Sequence, residues 1–167
     1  MRGPREVLEL SSKDFLSALQ FILPAYVANS SPVIFGGGKA IDLGRSFLDG
    51  RRIFGSNKTV RGFVGGLSCG ALISLVEDLL MGGGFFPYGV LISVGALLGD
   101  LLGAFIKRRF GLPPGSPFPL MDQLDFVFGA LMLSCPFYKL SLSATFLIFL
   151  ATPPLHLLTN GVAYILK

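Results

Sequence analysis

Five apolar stretches, separated by shorter polar segments, organise this chain. They cover about residues 15–35, 60–81, 86–106, 122–138 and 142–166. Each stretch comes close to the roughly 20 consecutive apolar residues that an α-helix needs to cross a bilayer. The pattern therefore predicts an all-α, polytopic membrane protein with five transmembrane helices.

Prolines are expected to interrupt two of these helices. Pro24 and Pro32 predict kinks in the first helix. The Pro153-Pro154 pair predicts that the fifth divides into two half-helices, because proline removes a backbone donor and clashes with the preceding turn.

Polar, glycine-rich segments at residues 36–59 and 107–121 join the first helix to the second and the third to the fourth. We therefore expect a single membrane domain, residues 1–167, with both segments as cytoplasmic loops over a site. Hydrophobic residues make up 51% of the chain and charged residues only 14%. This composition excludes an ordinary soluble domain, which could not bury so much apolar sequence.

The basic residues are concentrated in two places. Six of the 14 Lys and Arg residues lie between residues 39 and 61, and three more lie at residues 107–109. Because cytoplasmic loops carry an excess of Lys and Arg, the N-terminus is predicted outside and both basic loops and the C-terminus inside. We accordingly expect a multi-pass protein of the plasma membrane whose site faces the cytoplasm.

Three carboxylates stand at or just inside the predicted inner ends of apolar stretches: Asp100, Asp122 and Asp125. A carboxylate in a membrane segment is costly and marks a functional site by default. Oxygen ligands without cysteine suit Mg²⁺. The alternative is that these acids pair with Lys or Arg, or that Asp122 caps its helix. Glu77 and Asp78 lie near the outer end of the second helix, where we expect them to meet water.

The first basic loop combines glycines with cations, among them Arg51, Arg52, Lys58 and Arg61. Glycine lets backbone N–H groups approach an anion closely, and arginine can bind phosphate through two hydrogen bonds. This combination favours phosphate binding over the alternative, a role limited to topology and lipid-headgroup attraction. The GSNKT sequence is not the phosphate-binding GxxxxGK[ST] motif.

Further polar residues are predicted in the inner half of the bundle. His156 and Asn160 are one helical turn apart, and either satisfy carbonyls freed by the proline pair or bind a ligand. Asn29 is a candidate for reading a nucleotide base. No SxxK, GxSxG or HExxH motif supports a nucleophilic serine or cysteine. A phosphate monoester, already ionised near neutrality, would attack without a strong general base.

Several of these stretches together resemble a known family. The resemblance is carried by GDLLGAFIKRR…GSPFPLMDQLDF, PAYVANSSPV, LDGRRIFGSNKTVRG and HLLTN. These are similar to the archaeal CDP-archaeol synthases, which are related to the CDP-diacylglycerol synthases. The likeness covers roughly residues 24–160 in register.

The resemblance implies an enzyme, a nucleotidyltransferase. It implies that a cytidylyl group passes from CTP to an unsaturated archaeal ether-lipid phosphate, with Mg²⁺, giving a CDP-activated lipid and pyrophosphate. The expected partners are therefore CTP, an isoprenoid glycerol-ether phosphate lipid and the bilayer, with no nucleic acid.

The resemblance also implies roles for individual residues. Asp100, Asp122 and Asp125 would hold the metal and, with Lys107, form the catalytic set. Together with the polar residues singled out above, the expected substrate-binding set is Asn29, Arg51, Arg52, Lys58, Thr59, Arg61, Arg108, Arg109, His156 and Asn160.

Other classes of function were weighed against this one. A transporter or cation channel would use the acids as an ion site and the broken fifth helix as a gate, but no inverted repeat is visible. A small structural subunit would not account for three acids beside the cations. A CDP-alcohol phosphotransferase would show DGxxAR…GxxxDxxxD, which LDGRR does not continue. The sequence leaves the lipid, the choice between CTP and dCTP, the number of metal ions and the oligomeric state open.

Overall fold

A computed structural model of the protein describes residues 11–165, with side chains as far as residue 157, and it has the predicted all-α fold. The helices are α1 (Ser12–Ser30), α2 (Pro32–Phe35), α3 (Val60–Met81), α4 (Phe86–Arg109), α5 (Met121–Ser134) and α6 (Leu142–Ile165). Within this part of the chain the only β pairing is a pair of isolated bridges, Ala40 with Thr59 and Ser46 with Arg52.

Among the residues that the structure describes with their side chains, three helical segments are long and apolar enough to cross a membrane: Ser12–Phe35, Val60–Met81 and Phe86–Arg109. The first of these is α1 continued by α2, with the expected interruption just before Pro32. Helix α5 has only 14 residues and is about 21 Å long, shorter than the roughly 30 Å hydrocarbon core. The chain is a membrane protein, and the full set of five spans stays a prediction.

The predicted division of the fifth apolar stretch is wrong. Helix α6 continues through Pro153 and Pro154. The Thr152 hydroxyl donates to the Ile148 carbonyl at 2.7 Å, and the Tyr26 hydroxyl donates to the Thr152 carbonyl at 3.2 Å. These two hydrogen bonds hold the turn of α6 that precedes the prolines, and the second of them fixes it against α1.

The predicted 107–121 loop is also shorter than expected. Lys107 and Arg109 belong to the last turn of α4, and α5 begins at Met121. Cations in the last turn of a helix are favoured because they face the negative end of its dipole. The connecting loop is therefore residues 110–120, whereas the first loop keeps its predicted limits, 36–59.

Helix α4 packs against α1, α3 and α5, and its approach to α5 is particularly close. A Cβ at Gly99 would collide with the Asp125 carbonyl, and one at Gly129 would collide with the backbone of Gly95 and Gly99. Small residues at a crossing let two helix backbones touch. This contact places the first turns of α5, and Asp125 with them, directly against α4.

Glu77 does not meet water as expected. It is 8% exposed, and within the described residues its Oε2 has no hydrogen-bond partner. One helical turn earlier, Ser74 fills the space that a Cβ at Gly89 would occupy, so the α3–α4 contact covers this face of α3. Asp78, in contrast, accepts a hydrogen bond from the Phe85 N–H at 2.7 Å and ties together the turn between these helices.

The substitution Glu77→Met is expected to stabilise the protein, because it removes a buried polar group that lacks a partner while keeping its volume. A gain of about 1 kcal/mol would raise the melting temperature by about 2–4 °C for a chain of this size. Thermal unfolding in detergent measures the change. The matched variant Asp78→Ala should lower the melting temperature, because it removes the hydrogen bond to the Phe85 N–H. A melting temperature of Glu77→Met below that of the unsubstituted protein would contradict this account.

Candidate functional site

Two lysine–carboxylate pairs form the centre of the candidate site. The Lys58 Nζ lies 2.6 Å from both carboxylate oxygens of Asp100. The Lys107 Nζ lies 2.9 and 3.0 Å from those of Asp122. All four side chains are mostly covered, the most exposed being Lys58 at 29%. The alternative that the acids pair with lysines is therefore realised for Asp100 and Asp122.

Asp122 is not the N-cap of α5. Leu120 occupies the N-cap position with φ +63°, a left-handed conformation that costs energy for a non-glycine residue. Asp122 lies in the first turn, where its Oδ2 accepts a hydrogen bond from the Phe118 N–H at 2.9 Å. The carboxylate thus fixes the end of the 110–120 loop as well as binding Lys107.

Asp125 lies where α5 touches α4. Its Oδ1 accepts a hydrogen bond from the Phe126 N–H at 2.6 Å. A Cβ at Gly103 would lie 2.9 Å from the Asp125 Cγ, so the carboxylate occupies space that only glycine leaves open. Asp125 interacts electrostatically with Asp100, Asp122 and Lys58. The three predicted acids therefore form one interacting cluster near the C-terminal end of α4.

A cavity of about 270 Å³ lies beside the Lys58–Asp100 pair, and we call it the polar cavity. Its polar lining comes from Asn29, Asn57, Lys58, Thr59 and Asp100, and its other walls are apolar side chains of α2, α3, α4 and the 36–59 loop. An amide, an ammonium and a carboxylate between apolar walls suit a flat ligand that carries hydrogen-bonding groups at its edge.

A smaller cavity of about 130 Å³ shares Lys58 with the polar cavity, and we call it the basic cavity. Lys107 and Arg108 also line it. Arg108 is 6% exposed, and its Nη2 donates to the Pro113 carbonyl at 3.0 Å. Its Nε has no partner within the described residues. Three cations around one small space make a site for phosphate oxygens.

A larger cavity of about 430 Å³ lies between α4 and α5, and we call it the apolar cavity. Apart from Asp125, its lining residues are Gly99, Leu102, Gly103, Ile106, Leu120, Met121, Leu124, Phe128, Gly129 and Met132. Such a lining suits a hydrocarbon chain. Asp125 therefore stands at the border between an apolar space and the charged cluster.

Sequence reasoning missed Asp42, whose side chain is completely buried in the 36–59 loop. It forms an ion pair with Arg52 and accepts backbone hydrogen bonds from the N–H groups of Gly44, Phe54 and Gly55. Burial alone would raise the pKa of this carboxyl, but these bonds outweigh burial and hold the pKa below its ordinary value. The Asp42-Leu43-Gly44 sequence, typical of a turn closed by an aspartate, was the available signal.

Two of the arginines expected to bind phosphate hold the loop against α4. The Arg109 Nη1 lies 2.6 Å from Asp49, and its guanidinium carbon lies 5.0 and 4.7 Å from the ring centres of Phe47 and Phe105. The Arg51 Nη1 donates to the Arg109 carbonyl at 2.5 Å. Together with Arg52, which pairs with Asp42, these side chains fold the loop.

The remaining expected residues are spread around the cluster. Thr59 is the N-cap of α3, where its Oγ1 accepts a hydrogen bond from the Gly62 N–H at 3.1 Å. Arg61 is exposed on the first turn of α3. His156 is half-buried on α6 and interacts electrostatically with Asp122. The side chain of Asn160 lies outside the described residues.

The donor set is compatible with Mg²⁺ but is not preassembled for it. Within the described residues, no three acidic, His or Cys side chains converge as a metal-binding group. Asp100 and Asp122 each form an ion pair with a lysine. Asp125, the third acid of the cluster, forms no ion pair within the described residues. Because Mg²⁺ in nucleotide sites takes one or two carboxylates and completes its shell with phosphate oxygens, Asp100 and Asp125 fit such a role.

Comparison with known proteins gives a consistent result. A family model described as "CarS-like: CDP-archaeol synthase" matches residues 12–167. A CDP-archaeol synthase of Pyrococcus furiosus is 45% identical over 162 residues, which is 91% of this chain and 94% of the relative. One of Methanocaldococcus jannaschii is 44% identical over 161 residues, 89% of this chain and 91% of the relative.

A solved structure is similar as well. It is described as an intramembrane enzyme for archaeal membrane lipids biosynthesis, and it superimposes with a TM-score of 0.83 at 38% identity. The match covers 87% of this chain and 93% of that one. The helical arrangement described above is therefore shared with a membrane-embedded enzyme.

The substitution Gly103→Ala is expected to reduce turnover by tenfold or more, because the added methyl group would displace the Asp125 carboxylate. Leu98→Ala, at an exposed position of α4 that lines none of the three cavities, is the control and should keep most of the activity. Initial rates for both variants at equal amounts of folded protein check the prediction. Full activity in Gly103→Ala would show that the position of Asp125 is not critical.

Proposed function

The chain belongs to the CDP-archaeol synthase family, and on this premise we propose that it transfers a cytidylyl group from CTP to an unsaturated archaeal ether-lipid phosphate and releases pyrophosphate. The observation that carries the proposal is the arrangement of the three cavities around α4. An apolar space, a space with polar edges and a space lined by cations adjoin one cluster of carboxylates and lysines.

The chemical character of each cavity lining matches one part of the two substrates. The isoprenoid chains of the lipid would lie in the apolar cavity and the nucleoside of CTP in the polar cavity. The basic cavity would hold the departing phosphates. Asp125 borders the apolar cavity, and Lys58 borders the other two. The lipid phosphate and the α-phosphate of CTP would therefore meet between these two residues.

The proposed chemistry is an in-line attack of a lipid phosphate oxygen on the α-phosphorus of CTP. The attacking monoester is ionised near neutrality, so no strong base is required. Lys58, Lys107 and Arg108 would neutralise charge on the phosphoryl oxygens and on pyrophosphate. Asp100 and Asp125 would hold Mg²⁺, which supplies Lewis-acid stabilisation of the same oxygens when bound.

We further propose that the chain is a multi-pass protein of the plasma membrane with five spans, its N-terminus outside and its site facing the cytoplasm. This orientation rests on the excess of Lys and Arg in the 36–59 loop and at the end of α4. It places the cation-lined cavities where CTP is available, and it leaves the apolar cavity within reach of membrane lipid. No observation favours a transporter.

Incubation of purified protein with α-labelled CTP, Mg²⁺ and a panel of lipid phosphates tests the proposed reaction. Label should appear in a lipid product together with equimolar pyrophosphate. Asp100→Asn and Asp125→Asn should each lower turnover on the order of a hundredfold or more, because each removes charge from the reacting cluster. Glu77→Met, remote from the cavities, is the control. No labelled lipid from the unsubstituted protein, or full activity in both Asn variants, would refute the proposal.

Metal and nucleotide are expected to bind cooperatively, because Lys58, a proposed partner of the nucleotide phosphates, contacts both oxygens of the proposed metal ligand Asp100. Lys58→Met should raise the affinity for Mn²⁺ alone roughly tenfold and weaken binding of a non-reactive CTP analogue. Titration of free Mn²⁺ by electron paramagnetic resonance measures the first effect. Lys39→Met, which removes an exposed charge of the same loop, should change neither. Equal Mn²⁺ affinities in all three proteins would contradict this coupling.

A further inference from the structure

The buried carboxylate of Asp42 has no role in the reaction proposed above. The residue is 4% exposed, and its side chain is completely covered. An ionised group is buried only where partners replace its water. Here both guanidinium contacts come from Arg52, and the three backbone donors come from residues of the same loop. The loop is therefore folded around this carboxylate.

The hydrogen bonds to Asp42 close a segment of the loop on itself. Gly44 donates at 3.0 Å from one end of the segment, and Gly55 donates at 2.9 Å from the other. Immediately outside the segment, the Ile41 N–H donates to the Lys58 carbonyl at 2.8 Å. The backbone of Lys58 is thus paired with the residue that precedes Asp42.

The same carboxylate also fixes backbone beside the basic cavity, which Phe54 lines. Gly55, which Asp42 holds through its N–H, lies against the Arg108 guanidinium and Pro114. A Cβ at Gly55 would lie 2.9 Å from the Arg108 Nη1 and 3.1 Å from the Pro114 Cγ. Lys58 and Arg108, which approach the cavity from different elements, therefore both depend on the segment that Asp42 closes.

We propose that Asp42 is a positioning residue: it fixes the 36–59 loop in the fold that presents Lys58 to Asp100 and places Gly55 against Arg108. The inference deepens the proposed function, because it assigns Asp42 and Arg52 to arranging the phosphate-binding cations rather than to contacting phosphate. The positioning role can also be tested independently of that function, since the distance between Lys58 and Asp100 can be measured without substrate.

The first test measures that distance by crosslinking. Lys58→Cys and Asp100→Cys are introduced together into a Cys69→Ala, Cys135→Ala background and treated with a thiol crosslinker about as long as a lysine side chain. Adding Asp42→Asn should slow crosslinking at least tenfold, because the isosteric amide loses the charge that binds Arg52. Adding Arg45→Gln, an exposed position of the same loop, should not. Equal rates with and without Asp42→Asn would overturn the proposal.

The second test separates positioning from general stability. In the otherwise unsubstituted enzyme, assayed at equal amounts of folded protein, Asp42→Asn should lower kcat/KM for CTP at least tenfold while leaving KM for the lipid phosphate nearly unchanged. Unchanged kcat/KM for CTP would overturn the positioning role even if crosslinking slows. If the unsubstituted enzyme forms no CDP-lipid but Asp42→Asn still slows crosslinking, the proposed function fails and the assignment of Asp42 stands.

Discussion

The pairing of Lys58 with Asp100 is the interaction on which the site depends. Asp100 belongs to a helix that is apolar enough to cross a membrane, and a charge in such a helix needs a partner or water. The partner comes from a loop 42 residues away in sequence. The loop must therefore fold back onto the helices, and its internal structure becomes part of the site. Lys107 and Asp122 meet the same requirement between α4 and α5.

The helices follow from apolar length and local capping. Helix α3 has its predicted limits because both of its ends are capped. Thr59 caps the first turn, and Gly82, with φ +71°, ends the helix after its last turn. The continuity of α6 through Pro153 could not be predicted, because the sequence does not show the tertiary contacts of this segment, such as the hydrogen bond from the Tyr26 hydroxyl to the Thr152 carbonyl. The burial of Glu77 was missed for the same reason, because it depends on where α3 meets α4.

The sequence was informative about which residues are charged in apolar surroundings and much less so about their partners. Asp100, Asp122 and Asp125 could be singled out because a carboxylate in an apolar stretch is costly. Nothing in the spacing indicates that Arg109 pairs with an aspartate 60 residues away. The arginines of the 36–59 loop accordingly looked equivalent. In the fold, Arg51 and Arg52 make contacts that hold the loop, whereas Arg45 is exposed. Asp42 was overlooked because the Asp42-Leu43-Gly44 sequence resembles an ordinary solvated turn.

Helix α4 explains how a lipid and a nucleotide could react at one point. With 3.6 residues per turn, positions 99, 103 and 106 line the apolar cavity, and positions 104, 107 and 108 line the basic one. Asp100 turns toward the polar cavity from the same helix. Adjacent faces of a single rigid helix thus border three chemically different spaces within about two turns. A lipid phosphate held where the apolar cavity meets the charged cluster would need no large movement of the protein to reach the nucleotide phosphate. Holding the reactants in place in this way is the main contribution of a protein to phosphoryl transfer.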